Sequence, residues 1–231
     1  MAAPNHNGLD TLRACIEFLR PEAPYWGEVP RDVLLEAIEL SQRVGLRAAS
    51  KEYLSDYEGY LFDTGRDLGL NLLNLVPGDS VVDVGCGYGA LTLALARMGC
   101  DVIAVDTVAE RLMFTAARCR EEGLDNVRYV QGTLTDIAHE GSSFSAVVMN
   151  GVLEWLPLGD LHARPADVQR KAIATARSAL APGGRLYLGI ENRFSWSVIS
   201  GRLDHSGLRY TSLMPRPVAS AYCRWRGQGY R

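Results

Sequence analysis

The chain has 231 residues, 47% of them hydrophobic and 22% charged, and a formal net charge of −3. That length can bury one good core and leaves room for an appendage; the composition is that of a globular protein, not a disordered or fibrous one. No apolar run is long enough to span a bilayer, and the first ten residues, MAAPNHNGLD, lack a basic, apolar signal pattern, which points to a cytoplasmic location.

The small net charge hides an asymmetry. Residues 1–67 hold twelve acidic and seven basic side chains, whereas residues 192–231 hold seven arginines against Asp204 alone. A basic end can meet an anionic substrate, a membrane surface or an acidic partner, or can simply be solvated. No nucleic-acid motif accompanies it. The five cysteines, Cys15, Cys86, Cys100, Cys119 and Cys223, include no CxxC pair. That argues against a zinc site or a disulfide framework, and the sequence shows no metal-binding cluster of carboxylates and histidines.

In chain order, Leu9, Leu12, Cys15, Ile16 and Leu19 recur at helical spacing and predict a helix over 9–20. The Pro-rich stretch PEAPYWGEVP breaks it. Further helices are predicted over 32–43 and 48–60. Tyr53, Tyr57 and Tyr60 recur at helical spacing in the latter, a pattern of core packing. Residues 1–63 thus read as an acidic helical appendage, either a lid or plain packing. A helix over 64–75 and a turn at Pro77-Gly78-Asp79 precede the first main strand.

The stretch that organises the chain is VVDVGCGYG, residues 81–89. Val81, Val82, Asp83 and Val84 read as a buried strand, Gly85, Gly87 and Gly89 follow at every second position, and a helix starts at Ala90. Glycines there let the backbone turn sharply and let a ligand approach the main chain, while the helix start leaves N–H groups free. This is the nucleotide end of a Rossmann-like unit. Gly85, Gly87 and Ala90 fit the dinucleotide fingerprint, and the same stretch reads D-x-G-x-G-x-G. A pyrophosphate at this turn would be repelled by Asp83, whereas S-adenosylmethionine, with an ammonium and a sulfonium, would be favoured. The stretch resembles the first motif of class I S-adenosylmethionine-dependent methyltransferases, and the resemblance extends over about residues 64–193.

That resemblance implies an α/β fold with an open, doubly wound, mostly parallel sheet, S-adenosylmethionine as cofactor, and contacts to it from Asp83, Gly85, Cys86, Gly87, Tyr88 and Gly89. Family members often place N-terminal helices near the cofactor's methionine end, which makes Tyr60 and Arg66 candidates. Cys86 is read as a small side chain beside the ligand, not a nucleophile. The second strand, 101–105, ends in Asp106, 21 positions after Gly85, where a carboxylate can accept both ribose hydroxyls; Thr107 follows, and Asp106 can also serve as a helix cap. The third strand, 127–130, leads to Thr133, Leu134 and Asp136, the region that embraces adenine in the resembled class. The fourth, 144–149, leads to Asn150 and Gly151, at the carboxyl end where ligands bind in such sheets. Leu153-Glu154-Trp155 follows where many small-molecule methyltransferases have Leu-Glu-His, so one possible base is missing.

Residues 165–180 read as a long helix with Pro165 in its first turn. Pro182-Gly183-Gly184 turns into a fifth strand over 185–190, apolar on both faces, as an interior strand is. Glu191 and Asn192 lie at its tip, and a short helix is predicted over about 218–226. No alternating pair of runs supplies the terminal hairpin that the class carries. The expectation is five strands, an incomplete sheet over 64–231, and an exposed edge that more chain, a partner chain or a second copy would cover.

Methyl transfer needs alignment and exclusion of water, and a base only for a hydroxyl or a protonated amine. Candidate bases are His205, Glu154 and Glu191. The stretch IENRFSWSVISGRLDHSGLRYTSLMPR is similar to one in bacterial methyltransferases of glycan biosynthesis, which implies a small-molecule, glycan or glycolipid acceptor methylated on oxygen or nitrogen. Two other readings stay open: a subunit that binds cofactor without turnover, and a nicotinamide-dependent oxidoreductase.

Overall fold

The structure is a computed structural model that describes residues 7–21, 25, 29–62, 65–138, 143–159, 163–190, 192, 194–203 and 207–227. In chain order the elements are α1 (Asn7–Ala14), β1 (Ile16–Phe18), α2 (Arg31–Val44), α3 (Leu46–Tyr53), α4 (Glu58–Leu61), β2 (Ser80–Val84), α5 (Ala90–Arg97), β3 (Asp101–Asp106) and α6 (Ala109–Glu121). There follow β4 (Val127–Gln131), α7 (Leu134–Ile137), β5 (Phe144–Asn150), α8 (Pro165–Ala179), β6 (Leu180–Gly189), α9 (Trp196–Ile199) and α10 (Arg216–Trp225). The chain divides into two compact units, residues 1–188 and 189–231.

The strands form one sheet in the order β1-β4-β3-β2-β5-β6. β2 pairs parallel with β3 and with β5, and β4 pairs parallel with β3 and with β1. After β4 the chain returns to the other side of β2, so the order reverses between β2 and β5. That reversal opens a crevice at the carboxyl ends of these strands, where open α/β sheets bind ligands.

Alternation along the strands builds the layers. Val81, Val102, Ala146 and Val148 face α5, packing with Leu91 and Leu95. Val82, Val84, Val105, Val130, Val147 and Met149 face the opposite layer, with Ile137, Ala176 and Ala179. The β2 positions 81 and 83 share a face, so Asp83 is carried inward toward α5. The N-terminal helices cover α6: Leu34, Ile38 and Leu46 pack with Leu112 and Phe114. Arg31 Nε donates to Glu110 Oε1 at 2.5 Å, and Leu46 N–H donates to Glu121 Oε2 at 2.9 Å.

The structure corrects four expectations. The helix expected over 9–20 stops at Ala14, and Ile16–Phe18 becomes a sixth strand, paired with Tyr129–Gln131. The apolar spacing suits either element, and the bare edge of β4, which offers a row of unpaired backbone groups, decides it. Leu19 N–H extends the pairing by donating to Gln131 O. The helix expected over 48–60 is broken at Leu54 into α3, a 3-10 turn at Ser55–Tyr57 and α4. Leu54, fully buried, leaves the helical conformation there, with φ −126° and ψ 27°.

In place of a helix over 64–75 there is a 3-10 turn at Leu68–Leu73, closed by Asn74 in the left-handed conformation. Gly69 lies inside it, where the Tyr187 ring sits close enough to exclude a Cβ. Finally, the strand expected over 185–190 runs from Leu180 to Gly189 and takes in Pro182-Gly183-Gly184, which were expected to turn before it. It stands last in the sheet order, as the expected exposed edge does, and leaves Leu188 38% exposed. The unit 189–231, taken by itself, holds α9, a 3-10 turn at Thr211–Leu213, α10 and an antiparallel bridge between Leu203 and Arg209. Among the described residues no strand follows β6, and no helix is long and apolar enough to cross a membrane.

Candidate cofactor and active site

The loop from β2 to α5 is shaped by its glycines. Gly85, Gly87 and Gly89 have φ of +65°, +54° and +79°, a region that side chains disfavour. Their surroundings differ. A Cβ on Gly85 would lie 2.3 Å from Val152 Cγ2, and one on Gly89 would lie 2.6 Å from Thr115 Cγ2. A Cβ on Gly87 would point into open space, with nothing nearer than the Gly85 carbonyl at 4.0 Å. Two glycines thus fit the loop between its neighbours, and the middle one leaves the main chain open to a ligand.

The loop is tied to β3. Gly85 N–H and Cys86 N–H both donate to Val105 O, at 2.7 and 3.0 Å. Asp106 Oδ2 accepts from Gly87 N–H at 3.0 Å, and its Oδ1 accepts from Val108 N–H at 2.9 Å. Asp83 Oδ2 accepts from Thr92 Oγ1 at 2.6 Å. Both carboxyls are buried, Asp83 2% and Asp106 5% exposed. Burial pushes the Asp83 pKa up to about 6, with Thr92 opposing and the Asp106 charge adding to the rise. Asp106 is raised too, again by burial, against the pull of Arg111 and of its backbone donors. Two buried carboxyls, one of which feels the other's charge, resist joint ionisation unless a cation joins them.

Helix α6 braces the loop from one seam that the sequence reading missed. Arg111, Thr115 and Arg118 stand at i, i+4 and i+7, one face of a helix. Thr115 Oγ1 donates to Gly87 O at 3.0 Å, and Arg118 Nη1 donates to Tyr88 O at 2.7 Å and to Leu61 O at 3.1 Å. The Arg111 guanidinium lies 5.5 Å from the Tyr88 ring centre, and Tyr88 meets Phe114 edge-on at 5.5 Å. The spacing of three hydrogen-bonding side chains on a helix that starts beside Asp106 was the available signal. Cys86 is buried, and burial with the two nearby acids raises its thiol pKa, so it stays a neutral thiol.

At the tip of β4, Thr133 caps α7: its N–H and Oγ1 both donate to Asp136 Oδ2, at 2.7 and 2.8 Å. Arg20 Nε reaches the same oxygen at 2.6 Å, and these bonds hold the Asp136 carboxyl below its ordinary pKa against its burial. Leu134 packs in the core. The Thr107 carbonyl accepts from Gln131 Nε2 at 3.1 Å. At the tip of β5, Asn150 is half-buried, Gly151 has φ +67°, and Glu154 keeps both carboxylate oxygens out of solvent. Val152, which abuts Gly85, brings this tip against the glycine loop. Arg66 is exposed. Glu191, His205 and the Tyr60 side chain lie outside the described residues.

The open main chain at Gly87, the two buried acids and the crevice beyond β2 and β5 suit a nucleoside ligand bearing positive charge. Residues 81–184 match the family model described as a methyltransferase domain. This stretch is a Rossmann-like methyltransferase domain of the class that uses S-adenosylmethionine. The chain is 34% identical over 116 residues to the ubiquinone biosynthesis O-methyltransferase of Xanthomonas axonopodis pv. citri, covering 50% of this chain and 44% of that one. It is 27% identical over 117 residues to the enzyme of the same name from Acinetobacter baumannii, covering 50% and 45%. The chain thus spans less than half the length of these relatives. Against the YcgJ protein of Bacillus subtilis the TM-score is 0.44, at 24% identity, over 52% of this chain and 47% of that one; so loose a likeness adds nothing to the strand order.

Proposed function

We propose that the chain is an S-adenosylmethionine-dependent methyltransferase that methylates an oxygen or nitrogen of a small-molecule, glycan or glycolipid acceptor in the cytoplasm. The observation that carries this reading is the pair of buried carboxyls, Asp83 and Asp106, beside a glycine whose main chain is open. A cationic ligand gains from both acids, whereas a pyrophosphate would be repelled, which disfavours the nicotinamide reading. The name shared by the two relatives favours an oxygen acceptor.

In this proposal Gly85, Cys86, Gly87, Tyr88 and Gly89 form the cradle. Asp106 accepts ribose hydroxyls with the lone pairs its two backbone donors leave over, and Thr107 orders that turn. Thr133 and Leu134 border the adenine side; Asn150 and Gly151 border the sulfonium side. S-adenosylmethionine supplies a methyl group already activated by its sulfonium. The chain then has to align the acceptor and keep water out. Glu154 takes the proton from an acceptor hydroxyl, with Glu191 and His205 as the other proposed bases.

Calorimetry with S-adenosylmethionine and its demethylated product tests the reading; a folded sample that binds neither sinks it. Asp106→Ala should weaken binding by about 1.5–3 kcal/mol, the scale of hydrogen bonds to a charged group. Unchanged binding would remove Asp106 from the site. A methyl-transfer assay on cell extract separates an enzyme from a subunit that only binds.

A further inference from the structure

Helix α10 has two apolar faces, and packing uses one. Ala219 and Cys223, four residues apart, are fully buried. Val218, Tyr222 and Trp225, at i, i+4 and i+7, make a second face. Val218 is 53% exposed and Trp225 78% exposed, and the Tyr222 and Trp225 rings lie 6.0 Å apart. A surface helix of a globular protein ordinarily turns one apolar stripe inward and polar residues outward. The same unit, 189–231, exposes Trp196 and Phe194 as well. An exposed apolar face such as that of α10 marks a contact surface more than an accident.

Among the described residues of the unit the charge has one sign. The described charged residues of the unit are Arg202, Arg209, Arg216, Arg224 and Arg226, and no described acidic side chain accompanies them. Over the whole of 189–231 the sequence sets seven arginines against Glu191 and Asp204. Arg224 and Arg226 stand on either side of Trp225 in the sequence; Arg224 Nε donates to the Ser220 carbonyl at 3.3 Å and Arg226 Nη1 to the Tyr222 hydroxyl at 3.4 Å. These are exposed contacts that leave most guanidinium donors for an outside acceptor.

We infer that the unit 189–231 docks on an anionic lipid surface, with Val218, Tyr222 and Trp225 of α10 entering the headgroup boundary and the arginines meeting lipid phosphates. The combination selects this occupant. Trp and Tyr rings settle at the headgroup level, where one end is apolar and the other wet. Arginine stems lie along apolar surface while their heads stay in the polar layer. A basic face beside an aromatic one is the composition of interfacial helices, and anionic lipids add to their binding. A dissolved anion would engage the arginines but leave the apolar face in water. The inference does not rest on methyl transfer.

The test is co-sedimentation of the full chain with vesicles, roughly one-third phosphatidylglycerol in phosphatidylcholine, against phosphatidylcholine alone. Binding to the anionic vesicles is expected, at least tenfold weaker on the neutral ones, with a blue shift of tryptophan emission. Val218→Ser with Trp225→Ser should lower partitioning at least tenfold, and Arg224→Gln with Arg226→Gln should lower it on anionic vesicles only. Melting curves and cofactor binding establish that each variant is folded. No binding to anionic vesicles overturns the inference, as does binding that the serine pair leaves intact. Release by inorganic phosphate at matched ionic strength would assign the arginines to a dissolved anion. Self-association that the serine pair abolishes, without vesicle binding, would assign the face to a second copy. Both results overturn lipid docking.

Discussion

The two halves of the crevice are built differently. On the β2–β3 side, nearly every polar group is fixed by a neighbour: Gly87 by Asp106, Asp83 by Thr92, the loop carbonyls by Thr115 and Arg118. On the β5 side, the backbone turns at Gly151, the Glu154 carboxylate oxygens lie out of solvent, Gln169 Nε2 donates to Leu153 O at 3.2 Å, and Val152 and Leu153 pack against the core. The first half is preorganised for a fixed ligand, and preorganisation is what lets hydrogen bonds contribute without further ordering cost. In the proposed reaction the second half has only to shape a pocket and place one base. A cofactor common to many enzymes and an acceptor particular to one would divide a site in this way.

Breaking the β5 half alone should give the largest effect. If Glu154 accepts the proton, Glu154→Gln should lower kcat on the order of a hundredfold or more, while cofactor binding by calorimetry stays within about twofold, since the side chain touches only the acceptor step. A variant that loses cofactor binding to the same degree would place Glu154 in the other half.

Next come two glycines of one loop with opposite expected phenotypes. Gly89→Ala drives a Cβ to 2.6 Å from Thr115 Cγ2 at φ +79° and should cost about 2–4 kcal/mol of stability in urea unfolding, strain and overpacking together. Gly87→Ala meets open space, so only its φ of +54° is penalised, about 1 kcal/mol. Its methyl group would fill the cradle, and cofactor affinity should fall at least tenfold. Equal melting of the two variants would show that Gly87 is structural too.

The same contrast explains what the sequence could tell. The strand, the alternating glycines and Asp106 were legible because each depends on local backbone geometry: a positive φ at Gly85, Gly87 and Gly89, and a carboxyl at a strand tip. Ile16–Phe18 was not, because its partner is Tyr129–Gln131, more than a hundred residues away, and its apolar spacing served a helix equally well. The 3-10 turn at Leu68–Leu73 was missed for a similar reason: Gly69 is there to admit Tyr187 of β6. The seam of Arg111, Thr115 and Arg118 was in view as a spacing, but only the packed helix shows that it faces the loop.

The smallest effect concerns pH, and it sharpens the picture of the built half. The folded-state pKa of Asp83, about 6, lies above the ordinary value of 3.8. Between those values the folded chain holds a proton that the unfolded chain has released, so this group's contribution to stability falls as pH rises toward 6. Burial is the main cause of that rise; Thr92 opposes it and the Asp106 charge adds to it. A bound cation reverses the preference by favouring the carboxylate. Cofactor affinity should therefore climb as pH rises through about 6, by up to about tenfold per unit, and level off above 7. Asp83→Asn should flatten that climb and leave binding at pH 8 near the wild-type value at pH 5. The measurement is calorimetry across the range in buffers of matched ionic strength. A wild-type profile that stays flat while Asp83→Asn binds normally would mean that Asp83 holds Thr92 and α5 in place and has no part in recognising the ligand's charge.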